Sequence, residues 1–225
     1  MSKKIIFGSA LIAILFLYLN SCTGNNPADN LGFNDDLQSL TDLKPVPGTD
    51  NISIRVNRGE NVGSDSWFVF DVRGVEVNEY VVNGSTEGWC VEWNKPIRAN
   101  NTVHENINAF STLNNKKWSE LNYFLNIRES LKEDDPELTF RDIQVVMWSL
   151  IGIPKFDLDN LADSELPARL FTENGEPRFS REKVKEIMAV IKQNSDDFIP
   201  ATGQLFAVVL ETASDQQNVM IPVVR

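Results

Sequence analysis

The segments Gln204-Leu205-Phe206-Ala207-Val208-Val209-Leu210-Glu211-Thr212 and Val219-Met220-Ile221-Pro222-Val223-Val224, separated by a polar turn, read as two strands at the end of the chain. They decide the fold because the residues before them are helical. Trp118, Leu121, Phe124, Leu125 and Leu131 recur at three- and four-residue steps. After a polar break from Lys132 to Glu137, Thr139 is placed to cap a helix with Asp142 in its first turn, and Gly152 and Pro154 stop it. A short helical turn is expected near Leu158–Leu161. Ser180 then caps a helix with Val184, Ile187, Met188 and Ile191 on one face. Ahead of these helices the pattern is again β. Ile52, Ile54 and Val56 alternate with polar residues, and Trp67–Val72 is a fuller apolar strand. Tyr80-Val81-Val82 leads into Asn83-Gly84, a hairpin signal, and Gly88–Trp93 returns. Residues 94–116 are Asn-rich and read as a long loop. The order β, helices, β predicts an α+β fold: an antiparallel β body, sandwich- or barrel-like, over 51–225, with a helical insertion at about 117–194.

Working outward to the N-terminus, Lys3 and Lys4 precede an apolar run from Ile5 to Leu19. The run is shorter than the roughly 20 residues of a spanning helix and has the form of an export signal. It ends in Leu19-Asn20-Ser21-Cys22, which resembles the bacterial lipobox. That resemblance implies a signal peptide at 1–21 and a diacylglycerol on Cys22. Residues 22–50, rich in Asn, Asp, Pro and Gly, read as a flexible tether, with a possible helical turn from Asp36 to Leu43.

The chain carries 32 acidic against 21 basic residues, a net charge of −11. Removing the signal takes away two lysines and no acid. This balance argues against nucleic acid, which needs a basic face, and against a basic membrane-binding patch. There are two Cys. With Cys22 lipidated, Cys90 has no disulfide partner, so it is either a reactive thiol or an inert buried side chain. No metal-ligand cluster, phosphate-binding glycine loop or Ser/His/Asp pattern is visible, and no cofactor is expected.

Two segments stand out. In Gly88-Trp89-Cys90-Val91-Glu92-Trp93, strand alternation puts Trp89, Val91 and Trp93 on one side and Cys90 and Glu92 on the other. In Asp142-Ile143-Gln144-Val145-Val146-Met147-Trp148, Gln144 shares a helix face with Phe140, Met147, Trp148 and Ile151. A buried amide without partners costs a few kcal/mol, so a Gln in that position needs a reason.

Together these segments resemble the Cys–Gln thioester domain family of bacterial surface proteins. In that family an aromatic residue or Leu precedes the Cys, as Trp89 precedes Cys90. The family's Gln lies in a helical Thr-Gln-x-Ala-(Ile/Val)-Trp motif, matched by Ile143-Gln144-Val145-Val146-Met147-Trp148. Ile143, Val146 and Met147 depart from the pattern, while Gln144 and Trp148 keep its spacing. Trp118–Leu125 is similar to the family's intervening helix.

The resemblance implies an internal thioester between Cys90 and Gln144. An amine, a protein Lys or a polyamine, would open it in single-use covalent attachment rather than enzymatic turnover. It further implies adhesion at the cell envelope, at an outer membrane or cell surface, with the N-terminal lipid as membrane anchor. Trp89, Trp93, Trp118 and Trp148 are expected as dry walls or plain core. His104, the single histidine, reads either as a base or as an exposed loop residue. Glu92, Asn94 and Asn122 are further polar neighbours to consider. Two rival readings stay open: a cysteine transferase with His104 as base, and a lipoprotein that binds without chemistry.

Overall fold

The computed structural model describes residues 40–225. The export signal, Cys22 and the tether up to residue 39 lie outside the described residues. From Leu40 the chain is already packed on the body. A 3-10 turn spans Leu40–Asp42, strand β1 is Lys44–Pro45, and Leu43, Val46 and Thr49 are buried. The few apolar residues at wide spacing anchor this stretch.

Six longer strands follow: β2 (Ile52–Arg58), β3 (Phe68–Arg73), β4 (Gly84–Cys90), β5 (Thr102–Ser111), β6 (Leu205–Glu211) and β7 (Val219–Val224). Each pairs antiparallel with two neighbours, in the order β2-β3-β4-β7-β6-β5 and back to β2. The sheet is thus closed into a barrel, which removes the unpaired edges an open sheet would present. Alternate residues Ile52, Ile54 and Val56 of β2, and Phe68, Phe70 and Val72 of β3, are buried in it. Helices α1 (Ser119–Asp134), α2 (Phe140–Ile151) and α3 (Arg181–Asn194) lie in the chain between β5 and β6. The architecture is α+β, an antiparallel β body with a helical insertion.

Two local expectations are corrected. Residues 94–116 are not one long loop, since Thr102–Ser111 forms β5. Only Ile107 and Ala109 of that strand are fully buried, so its apolar alternation is too sparse to see. Pairing with β2 on one side and β6 on the other supplies what local preference lacks. Conversely, the apolar run at Tyr80–Val82 is not a strand. Residues 74–83 form a connection organised by asparagines: Asn83 exchanges two hydrogen bonds with the backbone of Val75, at 2.8 and 2.9 Å, and Asn78 accepts from the backbone nitrogens of Tyr80 and Val81. Near Leu158–Leu161 the chain makes a short turn, closed by Leu161 donating to the carbonyl oxygen of Asp157 at 2.9 Å.

Strand β4 positions the site. Its first part pairs with β3 up to the Gly88–Phe68 pair, and its last two residues, Trp89 and Cys90, pair with Met220 and Val219 of β7. A Cβ on Gly88 would lie 2.0 Å from the Phe70 ring, so only glycine lets the strand pass this close to the barrel core.

Candidate functional site

Cys90 is the last residue of β4. Val91 donates to the carbonyl oxygen of Asn218, toward β7. Groups of successive strand residues alternate in direction, so the N–H and C=O of Cys90 face the β3 side. There β3 has ended, because Phe68 opposite Gly88 is its first residue. Two buried backbone groups therefore need partners from elsewhere.

Helix α2 supplies them. Thr139 and Asp142 close a capping box, and Asp142 also accepts from the backbone nitrogen of Ser180, the N-cap of α3, at 2.6 Å. Every residue of α2 is buried. Gln144, 0 % exposed, projects onto the end of β4. Its Oε1 accepts from the Cys90 backbone nitrogen at 2.8 Å, and its Nε2 donates to the Cys90 carbonyl oxygen at 3.1 Å. The two site residues read from the sequence are thus brought together, and the unexplained amide in an apolar helix face has its partners.

The Cys90 thiol is 1 % exposed. Burial pushes its pKa well up, opposed by the positive charge of Arg169 and by a hydrogen bond with the Gln217 side chain. Arg169 comes from the irregular segment between α2 and α3. Its guanidinium lies 4.2 Å from the centroid of Trp67, and its Nε donates to Glu60 at 3.3 Å. Glu60 also pairs with Arg141 at 2.7 Å. Burial lowers the pKa of Arg169 to about 10. Among the described residues its buried Nη1 and Nη2 have no hydrogen-bonding partner.

Aromatic residues wall the helix side. Trp148 meets Trp67 edge-on at 5.3 Å and Phe156 at 5.7 Å, and Trp93 meets Phe156 at 5.5 Å. Trp118 is buried at the start of α1, and Trp89 faces the Arg128 guanidinium at 5.7 Å. The indole nitrogens of Trp89 and Trp148 have no hydrogen-bonding partner among the described residues.

The other sequence candidates fall elsewhere. His104 lies on β5, three strands from β4 in either direction round the barrel, and its Nε2 is 2.8 Å from the carbonyl oxygen of Arg98. It is not brought to Cys90. Glu92 is not a solvated carboxylate. At 5 % exposure it pairs with Lys95 at 2.7 Å and accepts from the backbone nitrogen of Asn218 at 2.6 Å. Asn122 holds α1 to the barrel through Thr112 and Ala207, both at 3.0 Å, and Asn94 is exposed. Two neighbours of the thiol, Arg169 and Gln217, were not read from the sequence. Arg169 lies in a short 3-10 turn, Ala168–Leu170, and Gln217 in the polar turn before β7, and neither segment is long enough to show a period.

No protein-family model matches the chain, and no curated protein does. Among solved structures, the chain is similar to the N-terminal thioester domain of fibronectin-binding protein SfbI from Streptococcus pyogenes. The identity is 14 %, the match covers 80 % of this chain and 95 % of that one, and the TM-score is 0.41.

Proposed function

We propose that this chain is a lipid-anchored envelope protein in which Cys90 and Gln144 form an internal thioester that captures an amine covalently. The observation that carries the reading is the double hydrogen bond between the Gln144 amide and the Cys90 backbone. It holds electrophile and nucleophile on one residue's scale, and such proximity removes much of the barrier to attack on an unreactive amide. The Cys90 N–H already points at the oxygen that becomes the oxyanion, which is the placement such stabilisation requires.

In the first step the thiol proton is lost, a C–S bond forms to the Gln144 side-chain carbon, the C–N bond breaks, and nitrogen leaves as ammonia. In the second, an amine forms a C–N bond to the same carbon, the C–S bond breaks, and a proton from the amine ends on the Cys90 sulfur. Burial of both residues keeps water from the thioester between the two steps. The lipobox-like Leu19–Cys22 supports anchoring at the envelope, and single use rather than turnover follows from the product, an amide on Gln144.

A second reading rests on the same two bonds: an inert latch in which Gln144 only satisfies the backbone of Cys90. Intact mass decides. The full chain with Cys22→Ser is expected to weigh one ammonia less than its sequence, and Cys90→Ala and Gln144→Ala should each abolish the deficit. Methylamine should add to the unsubstituted pair and release one titratable thiol. A fresh sample at full sequence mass, with Cys90 free, leaves the latch.

A further inference from the structure

Gln217 stands two residues before β7 pairs with the cysteine strand. Cys90 is opposite Val219, and the Val91–Asn218 hydrogen bond at 3.0 Å continues the register. Gln217 is therefore diagonal to Cys90 on the same face of the strand pair. It is 7 % exposed, and among the described residues no group hydrogen-bonds to its buried Oε1.

Its backbone is held from several sides. The nitrogen donates to Pro96 at 2.9 Å, and the carbonyl oxygen accepts from the Thr212 hydroxyl at 2.9 Å. The next residue, Asn218, is fixed by Glu92 at 2.6 Å and accepts from the Thr212 nitrogen at 3.0 Å. A polar residue in a strand-joining turn is ordinarily left in water. This one is anchored so that its amide is buried on the thiol's side of the strand pair, where it opposes the burial-driven rise of the Cys90 pKa.

We infer that Gln217 is a positioning residue for the Cys90 sulfur, its amide donating a hydrogen bond that favours the thiolate and turns the sulfur toward Gln144. The inference rests on the thioester reading for its reaction. Gln217 loses no atom: the thiol proton departs with the ammonia, and the Gln217 amide is unchanged at the end. Among charged groups, Arg169 acts on the thiol from the segment between α2 and α3. Glu92, on the Cys90 chain segment, is paired with Lys95. Gln144 on α2 is neutral.

The test uses the full chain with Cys22→Ser, so that Cys90 is the sole thiol, alongside Gln217→Met and Gln217→Glu in the same background. Ammonia loss after refolding is followed by intact mass over a range of pH. Gln217→Met removes the donor without adding charge, and its pH midpoint for ammonia loss should rise by about one unit, which is about tenfold slower reaction at neutral pH; Gln217→Glu adds a carboxylate beside the thiol and should raise the midpoint further. A slowing equal at every pH, or an unmoved profile, overturns the inference, because a merely structural role would not move the midpoint. If the parent chain never loses ammonia, the thioester reading has failed instead. Cys90 is then free, and its rate with a small alkylating reagent over the same pH range decides about Gln217. A raised midpoint in the variants keeps the inference, and an unmoved one overturns it.

Discussion

Asn126 and Leu205 repeat the relationship between Gln144 and Cys90. The Asn126 Nδ2 donates to the Leu205 carbonyl oxygen and its Oδ1 accepts from the Leu205 nitrogen, both at 2.8 Å. In each case an amide on a helix completes the ladder of a barrel strand beyond the reach of its neighbour. Leu205 has no nucleophile, so this pair isolates the structural part of the arrangement.

Gln144→Ala leaves the Cys90 N–H and C=O buried and unpaired as well as opening a cavity. It should cost about 2–5 kcal/mol, against about 1–2 kcal/mol for Cys90→Ala. Asn126→Ala, at a half-buried site, should cost about 1–3 kcal/mol. Urea unfolding measures all three. Intact mass separates them further, since Asn126→Ala should keep the ammonia deficit that the two site variants lose. A deficit lost in Asn126→Ala as well would tie it to general stability and not to the Cys90–Gln144 pair.

Gly88→Ala forces a methyl onto the Phe70 ring at 2.0 Å. Overpacking of this kind costs about 1–3 kcal/mol, and the displaced strand end should slow thioester formation. Phe70→Leu in the same chain should recover part of the loss, read as a coupling in a double-mutant cycle. Purely additive effects would mean that the ring does not limit position 88.

Alkaline stability distinguishes a free thiol from a bonded sulfur. Burial raises the Cys90 pKa above its ordinary 9.0 in the folded state. The folded chain then holds its proton longer than the unfolded chain does, so stability is intact below pH 9.0 and falls as pH rises from there toward the folded value. Where Gln144→Ala leaves the thiol free, adding Cys90→Ala should flatten this decline. In the chain with an intact thioester, there is no thiol to ionise, and Cys90→Ala should leave the alkaline slope unchanged. The same flattening in both backgrounds would indicate a free thiol throughout.

Cys22→Ser should release the protein from membranes in cells, because acyl chains supply the anchoring that a short apolar run cannot. Labelled fatty acid should enter the parent chain and not this variant. Absence of label in the parent would remove the lipoprotein assignment while leaving the site chemistry untouched.

How much of this was legible varies residue by residue. The helix of Gln144 was, because Thr139, Asp142 and Gly152 mark its ends locally and its apolar positions repeat at helical spacing. The last two strands were visible as continuous apolar runs. Strand β5 was not, since its Asn-rich sequence takes its conformation from neighbours distant in the chain. His104 was drawn into consideration by its place after the Cys90 strand in sequence, yet closure of the barrel sends β5 to the far side.

By itself the sequence determined the succession of a β region, three helices and a final pair of strands, the α+β class, and the pairing of interest, an unpartnered Cys90 with a Gln144 set among apolar residues. Periodicity and capping act over a few residues and can be read directly. Only the tertiary structure decided how the two meet: through the Cys90 backbone, at the point where β3 ends and leaves two polar groups to be satisfied. It alone brought in Arg169 and Gln217, because what a loop residue touches is set by the register of strands and the burial around it, and neither is written in the loop's own composition.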